Sequence, residues 1–266
     1  MYEILIALAV VAPVGLILGI LLAFVSYKFG VEEDPKVKAV RACLPGANCG
    51  ACGCKGCDDY AAMVASGKVA LNLCVPGSED VANQLGAIMG VSVEAKKASV
   101  AFVSCNGNCE ATSKKAEYEG ISSCAAASML FGGPDACAYG CMGFGDCASV
   151  CPANAICIKD GIAHVDASRC IGCGLCASTC PKKVISLKPA DATTVMMCSN
   201  KDKGADALKA CKNACIGCKK CEKACPNGAI TVKDNVAHID YSKCDSCGAC
   251  VKGCPKGCLK SLVKAD

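Results

Sequence analysis

The sequence predicts an α+β chain made of an N-terminal apolar helix, a small cysteine-bearing unit and two tandem copies of one cysteine-rich supersecondary unit. Three observations predict it. An uncharged run of 24 residues stands at 4–27, closed by Glu3 and Lys28. Cysteine occurs 29 times in 266 residues, mostly in dense short-range groups. Residues 151–181 align without gaps on 225–255, an offset of 74, with 16 of 31 positions identical, and such self-similarity marks a duplicated unit.

The apolar run is long enough to span a bilayer, whose hydrocarbon core takes about 20 residues of helix. Pro13 is tolerable inside such a helix, and Tyr2 and Tyr27 stand where interfacial aromatics sit. A signal peptide is the alternative, but there is no basic segment before the run, the run is too long, and no small-residue cleavage site follows it. Lys28, Lys36, Lys38 and Arg41 come after the run, while the tail before it has no basic residue. The positive-inside rule then predicts a single-pass anchor at 1–28 in the cell membrane, with the remainder on the cytoplasmic side. That compartment is reducing and disfavours disulfides.

Residues 29–42 read as a charged connector containing Pro35. Within an N-terminal unit at 29–90, a first cysteine group follows: Cys49, Cys52, Cys57 and Cys74. Tyr60, Ala61, Ala62, Val64 and Ala65 have helical character, Gly67 breaks it, and 81–89 is a second helix candidate. A connecting module at 91–135 holds a strand candidate at 99–103, ending near Cys105. The repeats occupy 136–190 and 191–266. Each has a Cys-Pro, a hairpin-like segment (155–166 and 229–240), and a run of cysteines ending in Cys-Pro. His164 and His238, the only histidines, share one repeat position. Copying explains the pair without assigning them chemistry.

The composition says what the cysteines are for. There is no Trp and aromatics total 4%, so the large rings that dominate many cores are missing. An odd number of thiols in tight clusters fits metal thiolates better than a disulfide scaffold. Lys plus Arg at 28 against Asp plus Glu at 24 gives +4, too weak and scattered for nucleic acid.

The pattern Cys-x-x-Cys-x-x-Cys-x-x-x-Cys-Pro is the bacterial ferredoxin run, in which three thiolates hold one [4Fe–4S] cluster and the fourth ligates its neighbour. It occurs at Cys170, Cys173, Cys176, Cys180; at Cys215, Cys218, Cys221, Cys225; and at Cys244, Cys247, Cys250, Cys254. A stretched version runs through Cys137, Cys141, Cys147 and Cys151. Four runs make two ferredoxin-like domains of two [4Fe–4S] clusters each. The exchange rule pairs Cys137, Cys141, Cys147 with Cys180; Cys170, Cys173, Cys176 with Cys151; Cys215, Cys218, Cys221 with Cys254; and Cys244, Cys247, Cys250 with Cys225. Zinc sites would show separated Cys-x-x-Cys knuckles instead. The Cys49 group adds a fifth cluster in a small 4Fe-4S domain.

The uncleaved helix, the Cys-Gly-x-Cys-Gly-x-x-Gly-Cys segment at 49–57 and the downstream ferredoxin repeats together resemble the B subunit of the Rnf complex, over essentially the whole chain. That resemblance implies a membrane-anchored electron-transfer subunit of an ion-translocating ferredoxin:NAD oxidoreductase. It also implies soluble ferredoxin as electron donor and the other subunits of the membrane complex as partners. A polyferredoxin subunit of a membrane hydrogenase is the alternative, and a metal-storage protein a more distant one. No dinucleotide fingerprint, phosphate-binding loop or nucleophile elbow is present to suggest a substrate-transforming site.

Five clusters use 20 cysteines and leave Cys43, Cys54, Cys105, Cys109, Cys124, Cys157, Cys198, Cys211 and Cys258. Cys105 and Cys198 each end a strand-like segment, and Cys124 and Cys211 precede the two ferredoxin pairs in the same order. These four could form a sixth cluster, two thiolates from each copy, or be small buried thiols.

Overall fold

The computed structural model describes residues 2–28, 34–94 and 98–262; the side chains at 3–10, 26 and 27 lie outside the description. Helix α1 (Tyr2–Lys28) carries Pro13 within it and Lys28 in its last turn. Its side chains from 11 to 25 are all exposed, Leu16, Ile17, Leu22 and Phe24 each by more than half. Among the described residues no helix is long and apolar enough to cross a membrane. Of the run expected to do so, residues 4–27, the backbone is helical, while the side chains of 4–10, 26 and 27 lie outside the description.

The stretch read as a connector instead contains a helix, α2 (Pro35–Cys43). Its start signals are local: the Asp34 carboxylate accepts the Lys36 N–H at 2.8 Å, and Pro35 supplies a preset φ where no N–H is needed. Helices α3 (Cys57–Ala65) and α4 (Ser78–Met89) follow, the latter ended by Gly90 in the left-handed conformation. Val40, Tyr60, Ala61, Val64 and Leu85 form the core these three share. The Tyr60 hydroxyl donates to the Ala70 carbonyl at 2.9 Å, fixing the loop that leads to Cys74.

The first repeat contains β1 (Ser99–Val103), α5 (Cys124–Met129), α6 (Asp146–Ser149), β2 (Ile156–Lys159), β3 (Ile162–Val165), α7 (Leu175–Thr179) and β4 (Ile185–Pro189). The second contains β5 (Thr194–Met196), α8 (Gly204–Ala210), α9 (Lys220–Ala224), β6 (Ile230–Lys233), β7 (Val236–Ile239), α10 (Ala249–Lys252) and β8 (Leu259–Ser261). Both are built alike. β2 and β3 form an antiparallel hairpin, as do β6 and β7. β1 pairs with β4, from Ser99↔Pro189 to Val103↔Ile185, and β5 pairs with β8. The strand at 99–103 therefore belongs structurally with the first repeat, although a long, mostly irregular stretch containing α5 separates it from the first cysteine run.

Cysteine makes up more than a third of each repeat core. Cys141, Cys147 and Cys176 are buried with Val103, Ile162, Val184 and Ile185; Cys221 and Cys250 are buried with Met196, Ile230, Val236 and Leu259. His164 and His238 are both exposed, and they hold matching register places, opposite Cys157 and Thr231.

Candidate iron-sulfur sites

In the N-terminal unit Cys49, Cys52, Cys57 and Cys74 line one cavity, roofed by Leu44, Pro45 and Tyr60. Cys57 opens α3, and its N–H is held by the Asn48 side-chain oxygen at 2.8 Å. Burial pushes the Cys74 thiol up, and the neighbouring Cys57, Cys49 and Cys52 add to it. Cys54, in the midst of this segment, does not line that cavity: it is buried with its sulfur 3.7 Å from the Met63 sulfur.

The ferredoxin runs fold so that each fourth cysteine crosses to the other triplet. Cys151 adjoins Cys170, Cys173 and Cys176; burial, then Cys170, Cys173 and Cys151, raise Cys176 to about 11. In the second repeat Cys215, Cys218, Cys221 and Cys254 line one cavity. Cys250 is pushed up by burial and by Cys244, Cys225 and Cys247. Backbone N–H groups point at these sulfurs: Ala155 on Cys151 and Ala229 on Cys225, each at 3.3 Å, and Ala101 on Cys170 at 3.4 Å. A lysine follows two of the Cys-Pro steps and lines the adjoining cavity, Lys182 in one repeat and Lys256 in the other.

The stretched run is arranged differently from the spacing expectation. Cys141, Cys147 and Cys180 share a cavity with Cys124. Burial pushes Cys147 up to about 12, with Cys141, Cys124 and Cys180 the thiols nearest in effect. Cys137 faces a second cavity with Cys105, Cys198 and Cys211. Cys124 and Cys137 thus exchange the places that spacing assigns them.

The physical reason lies in the duplication. Carried upstream at the same offset of 74, residues 137–151 fall on 211–225. Cys137 then matches Cys211, Cys141 matches Cys215, Cys147 matches Cys221 and Cys151 matches Cys225, while Phe144 stands where the second copy has Cys218. Gly143 and Gly217 match too, both with positive φ and both tucked under a hairpin turn, at Gly161 and Asn235. The run is thus of ordinary length with one thiol missing, and Cys124 arrives from the preceding segment to take that place. The sequence carries this signal, because the alignment of the two copies continues upstream of Cys151 as far as Cys137.

Asp146 holds Cys124 there. Its carboxylate accepts from Cys124 N, Ala125 N and the Ser123 hydroxyl, each at 2.9 Å, capping the first turn of α5. Burial pushes this carboxyl up, but the Ala125 and Cys124 N–H groups and the Ser123 hydroxyl outweigh it and leave it below its ordinary value.

Comparison with known proteins finds iron-sulfur families over three stretches of the chain. An Fe-S cluster family model matches residues 44–76, a 4Fe-4S binding domain model residues 163–186, and a 4Fe-4S dicluster domain model residues 214–258. The B subunit of the Na(+)-translocating ferredoxin:NAD(+) oxidoreductase complex of Acetobacterium woodii is 44% identical over 262 residues, covering 98% of this chain and 79% of that protein. The B subunit of the proton-translocating ferredoxin:NAD(+) oxidoreductase complex of Clostridium ljungdahlii is 43% identical over 267 residues, 99% of this chain and 94% of that one. The B subunit of the ion-translocating oxidoreductase complex of Methanosarcina acetivorans is 37% identical over 246 residues, 92% and 93%. The chain belongs to the family of Rnf B subunits. The matched stretches of the family models take in the Cys49 group and both cysteine triplets of the second repeat. Cys105, Cys124, Cys137, Cys141, Cys147, Cys151, Cys198 and Cys211 lie outside all three.

Of the remaining thiols, Cys109 and Cys157 are exposed, and Cys43 bonds back to the Ala39 carbonyl of its own helix at 3.4 Å. Cys258 is different. It is 1% exposed, lines the Cys215 cavity and donates to the Asn213 carbonyl at 3.3 Å; its closeness to Cys215 lowers Cys215 and, with burial, raises Cys258.

Proposed function

We propose that the chain is the iron-sulfur electron-transfer subunit of an ion-translocating ferredoxin:NAD oxidoreductase, taking electrons from reduced ferredoxin and relaying them within the complex. The observation that carries this reading is the cysteine exchange within each repeat, where one run delivers its fourth thiol to the other triplet. Each set brings four thiols together, three of the five sets around a cavity, and the thiols are half-buried or buried apart from the exposed Cys218 and Cys247; with backbone N–H groups aimed at sulfur, this is the donor chemistry a [4Fe–4S] cluster requires. Such clusters supply reversible one-electron storage when bound. The residues that would hold them are Cys49, Cys52, Cys57 and Cys74; Cys124, Cys141, Cys147 and Cys180; Cys151, Cys170, Cys173 and Cys176; Cys215, Cys218, Cys221 and Cys254; and Cys225, Cys244, Cys247 and Cys250.

The protein's own contribution is placement and tuning. Burial keeps water from the sulfurs, and hydrogen bonds and nearby charge set how readily each site accepts an electron. Residues 4–27 anchor the chain in the membrane as a single span, with the repeats on the cytoplasmic side. Soluble ferredoxin docks at the C-terminal repeat, where residues 199–266 carry 13 Lys against seven acidic residues. Complementary charge of this kind chiefly raises the rate of encounter.

Anaerobic purification from the native membrane tests the reading. The expected result is about 20 or more iron atoms per chain, four for each of at least five clusters, with matching acid-labile sulfide and co-purifying subunits. Stoichiometric zinc with little iron would sink it, as would recovery of the full-length chain in the soluble fraction for the anchor.

A further inference from the structure

We propose that Cys105, Cys137, Cys198 and Cys211 hold a sixth [4Fe–4S] cluster, placed between the two repeats so that it joins their cluster pairs into one continuous electron path. The proposal rests on the iron-sulfur reading of the other five sets and adds to it a site, its ligands and a role.

The four thiols line a single cavity, at whose edge Cys141 of the neighbouring set also lies. They come two from each copy and from matching places. Cys105 lies just beyond the end of β1 and Cys198 just beyond the end of β5, strands with equivalent partners, while Cys137 and Cys211 are separated by the repeat offset. The site therefore sits on a pseudo-twofold axis, and neither repeat alone could build it.

The surroundings are those of a thiolate ligand set. Cys105 sulfur receives the Gly107 and Cys141 N–H groups, each at 3.4 Å. Cys198 sulfur receives the Cys215 N–H at 3.3 Å, and Cys137 sulfur the Asn200 side-chain amide at 3.5 Å. Asn200 is 1% exposed, so a buried amide is spent on sulfur. Gly107 leaves the room: a Cβ there would lie 3.2 Å from the Cys211 sulfur and 3.6 Å from that of Cys105.

Two of those hydrogen bonds also define the path. Cys141 belongs to the Cys124 set and Cys215 to the Cys218 set, so each neighbouring set reaches this one through a single N–H···S bond from its own ligand residue. The two donors, Cys141 and Cys215, are again copies of one repeat position. Within the two repeats the sets then run in the order Cys170, Cys141, Cys105, Cys215, Cys244, each named by one member. Every hop oxidises one cluster by one electron and reduces its neighbour by one, with no proton or further reactant.

The test compares the parent, Cys105→Ala, Cys211→Ala and Asn200→Ala, purified anaerobically as full chains, by iron and sulfide content and by spin counting after full reduction. The parent should carry about 24 iron atoms, four per cluster for six sites. Each cysteine variant should lose four iron atoms and one-sixth of the spins, and Cys157→Ala, an exposed thiol outside every set, should lose none. Asn200→Ala keeps all four thiols and should lower the potential of one couple alone, which decides the matter even where a cysteine variant fails to fold. A parent with 20 iron atoms, zinc in place of the last four, or no couple moved by Asn200→Ala overturns the sixth site and leaves the other five standing. A parent with almost no iron would instead overturn the reading on which it rests.

Discussion

Asp146→Ala should release Cys124 and weaken the first repeat's Cys141 site while sparing the second repeat. The wild-type carboxylate caps α5 through three hydrogen bonds of 2.9 Å. Hydrogen bonds to charged groups contribute about 1.5–3 kcal/mol each, but Asp146 is only half-buried and water replaces part of what is lost. Loss of a helix cap typically costs about 0.5–2 kcal/mol, so about 2–3 kcal/mol is expected for a cap that also ties two segments together. At roughly 2–4 °C per kcal/mol for a domain of this size, the cluster-bound melt should fall by about 5–10 °C. The assay is oxygen-free heating followed by cluster absorbance, with iron counted before and after. Asp146→Asn keeps one acceptor oxygen and should recover part of the loss. Lys220 holds the corresponding place in the second repeat, so Lys220→Ala should show no such fall. An unchanged melt and full iron in Asp146→Ala would refute the idea that this carboxylate holds the ligand in place, and a loss confined to the second repeat would refute the grouping of Cys124 with Cys141.

Three further outcomes are expected. With so few aromatics in the repeat cores, an iron chelator should unfold residues 136–258, as metal loss does in small metal-dependent domains; helical and strand signals retained in circular dichroism after complete iron loss would contradict this. Lys219→Glu with Lys220→Glu should slow reduction by ferredoxin at low salt and flatten its salt dependence, while reduction by a small neutral reductant stays the same; equal rates with ferredoxin would rule out this face. Burial raises Tyr60 to about 12, above its ordinary 10, so the neutral phenol stabilises the N-terminal unit below pH 10 and that stability is lost as pH rises toward 12. Tyrosinate absorbance and helicity should change together over that range, and Tyr60→Phe should abolish the step at a cost of about 1 kcal/mol for the lost hydrogen bond.

Much of the site was legible because cluster ligation constrains spacing more tightly than it constrains anything else. A closely spaced thiol triplet with a Cys-Pro immediately behind it specifies local geometry almost completely, so Cys170–Cys180 and the two runs of the second repeat could be placed from sequence. The hairpins, β1, α3 and α4 were legible from period and turn residues. Helix α2 was obscured by its charge: Glu32, Glu33 and Asp34 before Pro35 look like a linker, yet Asp34 and Pro35 are a cap and a first turn. Cys124 and Cys137 were not separable by spacing, because both precede Cys141; the alignment of the two copies, which places Cys137 on Cys211, separates them. That alignment does not show which residue fills the place left by Phe144, because Asp146, whose carboxylate holds Cys124, is distant from it along the chain and the contact leaves no periodic trace.

That exchange of thiols also explains why the two copies diverged where they did. The second repeat has Cys218 within its own run, and its chain passes directly from α8 through Cys211 into the triplet. The first repeat lacks that thiol, and its chain makes a long detour between Cys105 and Cys137 to bring α5 alongside. Cys124 lines the cavity where the second copy has Cys218, and Phe144, at the matching position of the run, stacks edge-on with Tyr118 of the detour at 5.4 Å between ring centres. The same detour carries Thr112 to the second repeat, where its hydroxyl donates to the Ala210 carbonyl at 2.8 Å and its backbone bridges Cys211. Asn106 accepts from the Asn213 amide at 2.8 Å and from Lys260 at 3.0 Å. One segment therefore brings Cys124 to the Cys141 cavity of its own repeat and fastens the partner repeat across the Cys105 cavity. It adds to ties between the copies that lie outside it, the Ser199 hydroxyl donating to the Tyr139 carbonyl at 2.9 Å and the Phe102 ring edge-on to Tyr241 at 6.5 Å between centres, so the divergence of the copies strengthens a contact that both already make.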